Sequence, residues 1–358
     1  MIPENKKIAL LHPQLFEVWW ASKMMFHLCR ELSKINQVVF FTTKYNQNNF
    51  SNKFCSVKEI SSRFKIISYI KIAYLIKNYD IVFCWNSPMH LVGVLSKILF
   101  RAKFKLIWWN HHYPWYHEKK HNTFLVRLKA CLEKFFIKYV DVLVANSLYI
   151  RDSLLDIFGQ SRQIKILHPV VSSVFAWNKG KDFRQNSKIT LFTYSRWVSW
   201  KNIDVIFELF MSLNKKYKIN LFIWGEGKQL EKYKEKFSKY DNISFLWKLN
   251  EKEILSYWKK SDIFLFPSLI DSFWLSVLEM MFLSLPIIAF DSWWVFELVK
   301  NWKNGFLCKS NLEFMQKTEL LIKDSLLRKK MSKESYNIAV SNFMSNFNKE
   351  LIEVFPNY

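Results

Sequence analysis

Residues 264–297 have the sequence FLFPSLIDSFWLSVLEMMFLSLPIIAFDSWWVFE, and this stretch predicts the fold most directly. Two short apolar runs, 264–266 and 287–290, have the composition of buried strands. Between them, apolar residues recur at helical spacing after a loop that contains Asp271. A strand, a helix and a second strand in this order form a βαβ unit, which requires a parallel sheet.

The same alternation of strand and helix patterns continues along the chain. One series of apolar runs lies at 8–11, 38–42, 81–84, 106–109 and 142–145. A second series lies at 189–194, 219–223, 243–246, 263–266 and 287–290. Strands that alternate with helices at this spacing indicate parallel sheets covered on both faces. The sequence therefore predicts an α/β protein with two Rossmann-like, doubly wound domains that face a cleft.

Domain boundaries follow from where this periodicity stops. The stretch 174–188 is polar and lacks apolar periodicity, which is typical of a linker. It separates a predicted N-terminal domain, 1–173, from a predicted C-terminal domain, 189–340. The last helical segment has no strand after it, and we expect residues 341–358 to pack back on the N-terminal domain.

Polar residues follow several predicted strands, at the sheet edge where open parallel sheets bind ligands. The helix after Asp271 begins near residues 273–276, and its free amides suit a pyrophosphate. Glu279 lies about two turns further on, where it can reach sugar or ribose hydroxyls. Glycine at position 274 would let the backbone approach the phosphates, whereas the indole of Trp274 would not.

Two cations follow the strand at 189–194, Arg196 and Lys201. By themselves, an arginine and a lysine five residues apart are more often solvated surface charge. The strand at 219–223 leads to a Gly-x-Gly turn, a weak signal by itself. Two adjacent histidines, His111 and His112, follow the strand at 106–109. Isolated histidines, such as His90 and His168, are more often structural.

Tryptophan stands where the backbone needs glycine. The chain has sixteen Trp and six Gly, whereas glycine ordinarily makes up about 7% of residues. Several of these residues lie in predicted tight turns, where a positive φ or a close backbone approach is expected. The hypothesis is that many are UGA codons from a lineage that translates UGA as glycine; the alternative is an unusually aromatic protein. The turn positions are Trp19, Trp20, Trp274, Trp293, Trp294 and Trp302.

Nearly the whole chain resembles the family-four retaining glycosyltransferases, which have two Rossmann-like domains in the GT-B arrangement. The family pattern is an acid, seven residues and a Glu, then a small-residue Pro turn and Gly-Gly before a further Glu. Residues 267–297 match it, with Asp271 in place of the first Glu. The positions at which Trp replaces the family's glycine are Trp274, Trp293 and Trp294.

The resemblance implies roles for these residues. Asp271 would contact the donor sugar and Glu279 the ribose, while Arg196 and Lys201 would hold the diphosphate. A histidine at the strand end, His111 or His112, would contact the donor sugar. The remaining positions of the donor site implied by the resemblance are Phe273, Trp274, Leu275, Gly225, Gly227, Trp19 and Trp20. No metal or cofactor is expected.

The charge and composition of the chain limit the kinds of partner that it can bind. Residues 1–200 contain 30 basic and 11 acidic side chains, so most of the net charge of +23 lies in this half. Basic residues alternate there with aromatic and aliphatic ones, as in 63–77, a pattern that suits an anionic membrane surface. Ordinary solvated helix faces remain an alternative. No nucleic-acid-binding motif accompanies the charge.

The five cysteines are an odd number and widely spaced, which argues against a disulfide framework or a zinc site. Without an apolar span or a signal peptide, we expect a cytoplasmic, peripheral membrane enzyme. It would transfer a hexose from a nucleotide diphosphate donor to a lipid-linked or cell-envelope glycan. The alternatives are a nucleotide-sugar epimerase or hydrolase, and a catalytically silent binding protein.

Overall fold

The computed structural model describes most of the chain. It describes residues 2–15, 20–45, 56–85, 87–111, 124–160, 162–171, 175, 188–195, 197, 201–225, 227, 230–247, 249, 251–269, 275–292 and 295–355. Two compact units divide the chain, one comprising residues 1–170 and 347–358 and the other residues 171–346. Most of the predicted linker, 174–188, lies outside the described residues. Within the described residues, no helix is both long and apolar enough to cross a bilayer.

The first unit contains a seven-stranded parallel sheet with the order β3-β2-β1-β4-β5-β6-β7. The strands are β1 Lys7–Leu11, β2 Gln37–Thr42, β3 Ser56–Glu59, β4 Ile81–Trp85, β5 Lys105–Asn110, β6 Val142–Ala145 and β7 Ile164–Ile166. The helices are α1 Trp20–Leu32, α2 Lys65–Leu75, α3 Met89–Leu99, α4 Phe124–Phe136 and α5 Leu148–Phe158.

Alternate residues of the central strands enter two different cores. Ile8 and Leu10 of β1 pack with α1 on one face of the sheet. Ala9 and Leu11 pack on the other face, with α2 and α3. Because side chains alternate along a strand, a strand that is apolar throughout contributes side chains to the cores on both faces of the sheet.

The second unit repeats this design with six parallel strands in the order β10-β9-β8-β11-β12-β13. The strands are β8 Ile189–Tyr194, β9 Ile219–Trp224, β10 Ile243–Leu246, β11 Ile263–Phe266, β12 Ile287–Phe290 and β13 Gly305–Cys308. The helices are α6 Asp204–Leu213, α7 Leu230–Phe237, α8 Glu251–Trp258, α9 Leu275–Phe282, α10 Asn311–Lys323 and α11 Ser325–Ala339. A π-helical turn, Val340–Met344, follows α11.

The last helix, α12 (Phe347–Glu353), belongs to the first unit. Phe347 and Leu351 are buried in the same core as β1 and α1. The backbone N–H of His168 donates to Glu350 Oε2 at 2.9 Å, and the His168 Nδ1 atom lies 2.7 Å from Glu350 Oε1. His168 therefore links the segment after β7 to α12, which is a structural role.

The predicted fold class is confirmed: both sheets are parallel, and the first six strands of each follow the Rossmann order. Three strands were not predicted. β3 and β7 lie at sheet edges and contain charged residues, so neither forms an apolar run. β13 is a four-residue edge strand that begins with glycine.

One cysteine forms a disulfide that the sequence did not predict. Cys29, in α1, is disulfide-bonded, whereas Cys84, Cys131 and Cys308 are free. Wide spacing in the sequence does not prevent a disulfide, because folding can bring distant cysteines within bonding distance.

Candidate active site

The strand order of the second sheet reverses between β8 and β11. Open parallel sheets bind ligands at such a switch point, beyond the carboxyl ends of the strands. The connections that leave these two strands begin at Ser195 and at Pro267. The switch point therefore defines where a ligand of this unit is expected, independently of any sequence motif.

Lys201 lies at this switch point. The residue is only 6% exposed, and its Nζ atom lies 5.4 Å from the centroid of the Phe266 ring. Lys201 follows β8 along the chain, whereas Phe266 is the last residue of β11. The ammonium group therefore reaches the end of the neighbouring strand, where it can interact with an anionic ligand.

The Gly-x-Gly turn after β9 packs against the backbone that leads to Lys201. A Cβ atom at Gly225 would lie 2.0 Å from the Ser195 carbonyl oxygen, and one at Gly227 would lie 2.3 Å from the Trp197 carbonyl oxygen. Neither position has room for a side chain. The predicted glycine turn and the predicted cation segment thus form one contiguous surface.

Glu279 lies in α9 and is 6% exposed. Its helix follows β11 along the chain. Leu275, the first residue of α9, is also buried. Between β11 and α9, Ser268 is buried two residues after the strand ends. A carboxylate and a hydroxyl on either side of the loop that contains Asp271 can accept and donate hydrogen bonds to hydroxyl-rich ligands.

The corresponding edge of the first sheet gathers aromatic and imidazole rings. The ring of His111, after β5, stacks on Trp85 at 3.4 Å between centroids with an interplanar angle of 8°. His12, after β1, lies 5.6 Å from the same indole. His111 is fully buried, and Trp85 covers one face of its ring. The predicted contact between His111 and a donor sugar stays a prediction.

His90 contacts the helical layer of the first unit. It lies in α3, stacks on Trp108 at 4.5 Å between ring centroids and places its Nδ1 atom 3.5 Å from Glu133 Oε1. These contacts place it between the sheet and the helical layer.

The buried free thiols are poor nucleophiles. Burial raises the pKa of the Cys308 thiol to about 12 and raises the pKa of the Cys84 thiol further still. Both remain protonated at neutral pH, and only the thiolate is strongly nucleophilic.

Several predicted site residues cannot be placed. Trp20 is the first residue of α1, but its side chain is outside the described part of the chain. The other predicted site residues outside the described part are Trp19, His112, Arg196, Asp271, Phe273 and Trp274.

Some buried polar residues near strand ends were not predicted as site residues. They include His12 after β1, Ser268 after β11 and Glu297 in the 3₁₀ turn after β12. The sequence did carry a signal for His12 and Ser268, since each stands within two residues of the end of an apolar run. Glu297 is separated from its strand by six residues, so only the fold shows that it is buried near the strand end.

Two family models match consecutive parts of the chain. The model for Glycosyltransferase Family 4 matches residues 21–173, and the model for Glycosyl transferases group 1 matches residues 176–338. The chain belongs to the family-four glycosyltransferases. Its fold is GT-B, the two-domain Rossmann-like fold that it shares with solved glycosyltransferase structures.

One relative is similar in sequence to part of the chain, and two solved structures share its fold. An uncharacterized glycosyltransferase of Haemophilus influenzae is 34% identical over 153 residues, which cover 41% of this chain and 43% of the relative. Less than half of that relative's length is thus matched. Anabaena HepE, solved in complex with UDP-glucose, has a TM-score of 0.77 at 15% identity and covers 98% of this chain and 100% of its own. WaaG, a glycosyltransferase involved in lipopolysaccharide biosynthesis, has a TM-score of 0.73 at 13% identity over 98% of this chain and 100% of its own.

Proposed function

We propose that this protein is a retaining glycosyltransferase that transfers a hexose from a nucleotide diphosphate donor to a lipid-linked or cell-envelope glycan. The observation that carries this proposal is the buried cation of Lys201 at the switch point of the second sheet. The Gly225–Gly227 turn packs beside it, and Glu279 lies on the helix that follows β11.

The second unit would bind the donor. Lys201 and Arg196 would hold the diphosphate and stabilise the negative charge that grows on it as the sugar leaves. Such fixed charges act most strongly where bulk water is excluded, which the burial of Lys201 provides. Glu279 would accept hydrogen bonds from the ribose hydroxyls, and Asp271 would contact the donor sugar.

The first unit would bind the acceptor. In a front-face reaction, the acceptor hydroxyl oxygen forms a bond to the anomeric carbon on the side from which the diphosphate departs. The bond between that carbon and the diphosphate oxygen breaks, and the hydroxyl proton passes to the leaving phosphate. This reaction retains the anomeric configuration and needs no side-chain base. The two cations take the place of a metal ion, and no cofactor is needed.

WaaG, which shares this fold, is involved in lipopolysaccharide biosynthesis, and by analogy we propose an acceptor anchored in an envelope membrane. The protein would then work at the inner face of that membrane, from the cytoplasm. A catalytically silent sugar-nucleotide-binding protein is the second candidate, because Trp274, Trp293 and Trp294 stand where this family has glycine. Indoles at these positions would obstruct a diphosphate.

The test is a donor screen on two forms of the full chain. One form has the sequence as it stands, and the other has glycine at positions 19, 20, 274, 293 and 294. We expect the second form to release nucleoside diphosphate from one class of donor, and faster with an acceptor glycan present. Donor binding without turnover would favour the silent protein. Release that no acceptor accelerates, or formation of a sugar epimer, would favour a hydrolase or an epimerase.

A further inference from the structure

One surface of the first unit combines apolar and basic side chains. We name it the α2–α4 face: the exposed side chains of α2, α3 and α4 and of the residues that flank them. Large apolar side chains on this face include Ile66, which is 67% exposed, and Phe135, which is 64% exposed. Phe64, Ile70 and Leu99 are exposed on it as well. Isolated exposed apolar residues are ordinary, but a concentration of them on neighbouring helices marks an interaction site.

The buried residues of α2 and α3 fix the orientation of this face. Ile72 of α2 and Val92 of α3 pack in one core with the sheet residue Leu106. The opposite face of the sheet is covered by α1 and α12. The exposed residues of α2 and α3 therefore point away from the sheet.

Basic side chains outnumber acidic ones on this face. α2 and α3 contain no acidic residue, and α4 contains one, Glu133, whose carboxylate lies 3.5 Å from His90 Nδ1. The basic side chains on the helices and their flanks include Lys65, Lys71, Lys134 and Lys138. A surface that is both positive and apolar matches the two components of an anionic bilayer, its headgroups and its acyl chains.

Cations accompany exposed aromatic rings here. Lys77 Nζ lies 3.9 Å from the centroid of the Tyr74 ring, and Lys138 Nζ lies 4.9 Å from that of Phe135. Aromatic side chains beside basic ones are favoured where a protein meets the headgroup level of a membrane.

A basic cavity of about 590 Å³ lies at the carboxyl ends of α2 and α3. Lys77, Lys97 and Lys103 line it, together with the acids Asp80 and Asp141. Lys97 Nζ lies 2.5 Å from Asp141 Oδ2, so part of this charge is neutralised. The other lysines extend the positive surface beyond the helices.

We propose that the α2–α4 face docks on an anionic lipid bilayer, with Ile66 and Ile70 at the boundary between headgroups and acyl chains and Lys65 and Lys71 at the lipid phosphates. Nucleic acid would gain nothing from exposed isoleucines. A second copy of the chain, paired face to face, would oppose like charges. Docking would bring a lipid-linked acceptor to the enzyme, and this role of the face rests on the proposed function. Vesicle binding itself needs neither donor nor acceptor.

The experiment is vesicle co-sedimentation of the full chain at about 0.1 M and about 1 M salt. Vesicles of phosphatidylcholine alone are compared with vesicles that contain about one third phosphatidylglycerol. One double variant, Ile66→Ser with Ile70→Ser, removes apolar contacts, and another, Lys65→Glu with Lys71→Glu, reverses charge. The matched controls lie on α11, where Leu326, Lys329 and Lys330 are exposed; they are Leu326→Ser and the double variant Lys329→Glu with Lys330→Glu.

We expect the parent to bind anionic vesicles at low salt. Each α2 variant should bind these vesicles at least about tenfold more weakly. The α11 variants should bind them as the parent does. Equal binding to phosphatidylcholine alone, no binding, or an equal loss in the α11 variants would overturn the proposal. So would a parent that is dimeric by sedimentation velocity and becomes monomeric in the Ile66→Ser, Ile70→Ser variant. Melting curves establish that each variant folds. Donor turnover without vesicles should be the same in the α2 variants and the parent, so failure of this proposal is distinguishable from failure of the proposed function.

Discussion

Trp302 has a backbone conformation that bulky residues rarely adopt. Its φ is 63°, in the turn that leads into β13, and the residue is 57% exposed. Trp258 differs in each respect: it is helical and buried, and its indole N–H donates to the Leu283 carbonyl oxygen. We infer that position 302 is a glycine position and position 258 a true tryptophan. The gene should then have UGA at codon 302 and UGG at codon 258.

Replacing Trp302 tests this directly. A left-handed backbone costs a non-glycine residue about 1–2 kcal/mol, so the Trp302→Gly variant should be more stable than Trp302→Ala by about 1 kcal/mol. Both variants remove the indole, and only glycine relieves the backbone. Trp258→Gly should cost about 3–5 kcal/mol, because it empties a packed site. Urea denaturation measures all three, and equal stability of the two Trp302 variants would contradict the inference.

The side chain at position 274 should affect ligand binding more than it affects the stability of the fold. It lies between the loop acid Asp271 and α9, where the proposed diphosphate meets the helix. We expect Trp274→Gly to restore donor binding with only a moderate change in melting temperature, because the indole would occupy ligand volume. Isothermal titration compares the two forms in a chain with glycine at positions 19, 20, 293 and 294. Equal donor affinity would show that the phosphate lies elsewhere.

At the scale of elements, the stability of α12 depends on its contact with α1. The His27 ring packs edge-on against Phe347 at 4.8 Å between centroids. Burial, followed by the nearby Arg30, lowers the pKa of His27 to about 4. The unfolded chain, in which His27 has an ordinary pKa near 6.5, binds the proton more readily. Stability from this contact is therefore complete above about pH 6.5 and falls as the pH drops towards 4.

The variant His27→Gln should show a smaller loss of stability on acidification. Between pH 7 and pH 4.5, we expect the parent to lose about 2–3 kcal/mol more than the variant in unfolding free energy. Both proteins share the titration of the other groups, so the difference between them isolates His27. Urea titrations at the two pH values provide the measurement, and parallel losses would refute the assignment.

Strand positions were predictable because buried parallel strands are apolar runs, as in β4 and β11. The edge strands β3 and β7 carry charges and were missed for that reason. The positions of Lys201 and of the Gly225–Gly227 turn after β8 and β9 were predictable because each follows an apolar run, and their roles in a donor site stay predictions. The stacking of Trp85 on His111 and the disulfide of Cys29 were not, because both depend on which distant segments folding brings together.

At the scale of the whole molecule, the chain builds two Rossmann-like units and returns to the first through α12. Each unit places polar residues at the carboxyl edge of its sheet, His12 in the first and Ser268 in the second. This repetition suits an enzyme with two substrates, since each sheet offers one binding edge.

The proposed use of Lys201 and Arg196 for the diphosphate predicts the response to chelators. Because the two cations would balance the charge of the leaving group, sugar transfer should persist in excess EDTA. Initial rates with and without chelator give the answer. If the chelator abolished sugar transfer and added Mg²⁺ or Mn²⁺ restored it, a metal ion would bind the diphosphate in place of the two cations.

The most direct test of the account is donor turnover by the Lys201→Ala and Glu279→Ala variants of the chain with glycine at positions 19, 20, 274, 293 and 294. The exposed Lys329 on α11 supplies the control, Lys329→Ala. We predict that each site variant releases nucleoside diphosphate at least about 10²-fold more slowly while melting near the parent's temperature, and that the control is unchanged. A folded Lys201→Ala protein that turns over donor at the parent's rate would contradict the assignment of the switch point as the donor site.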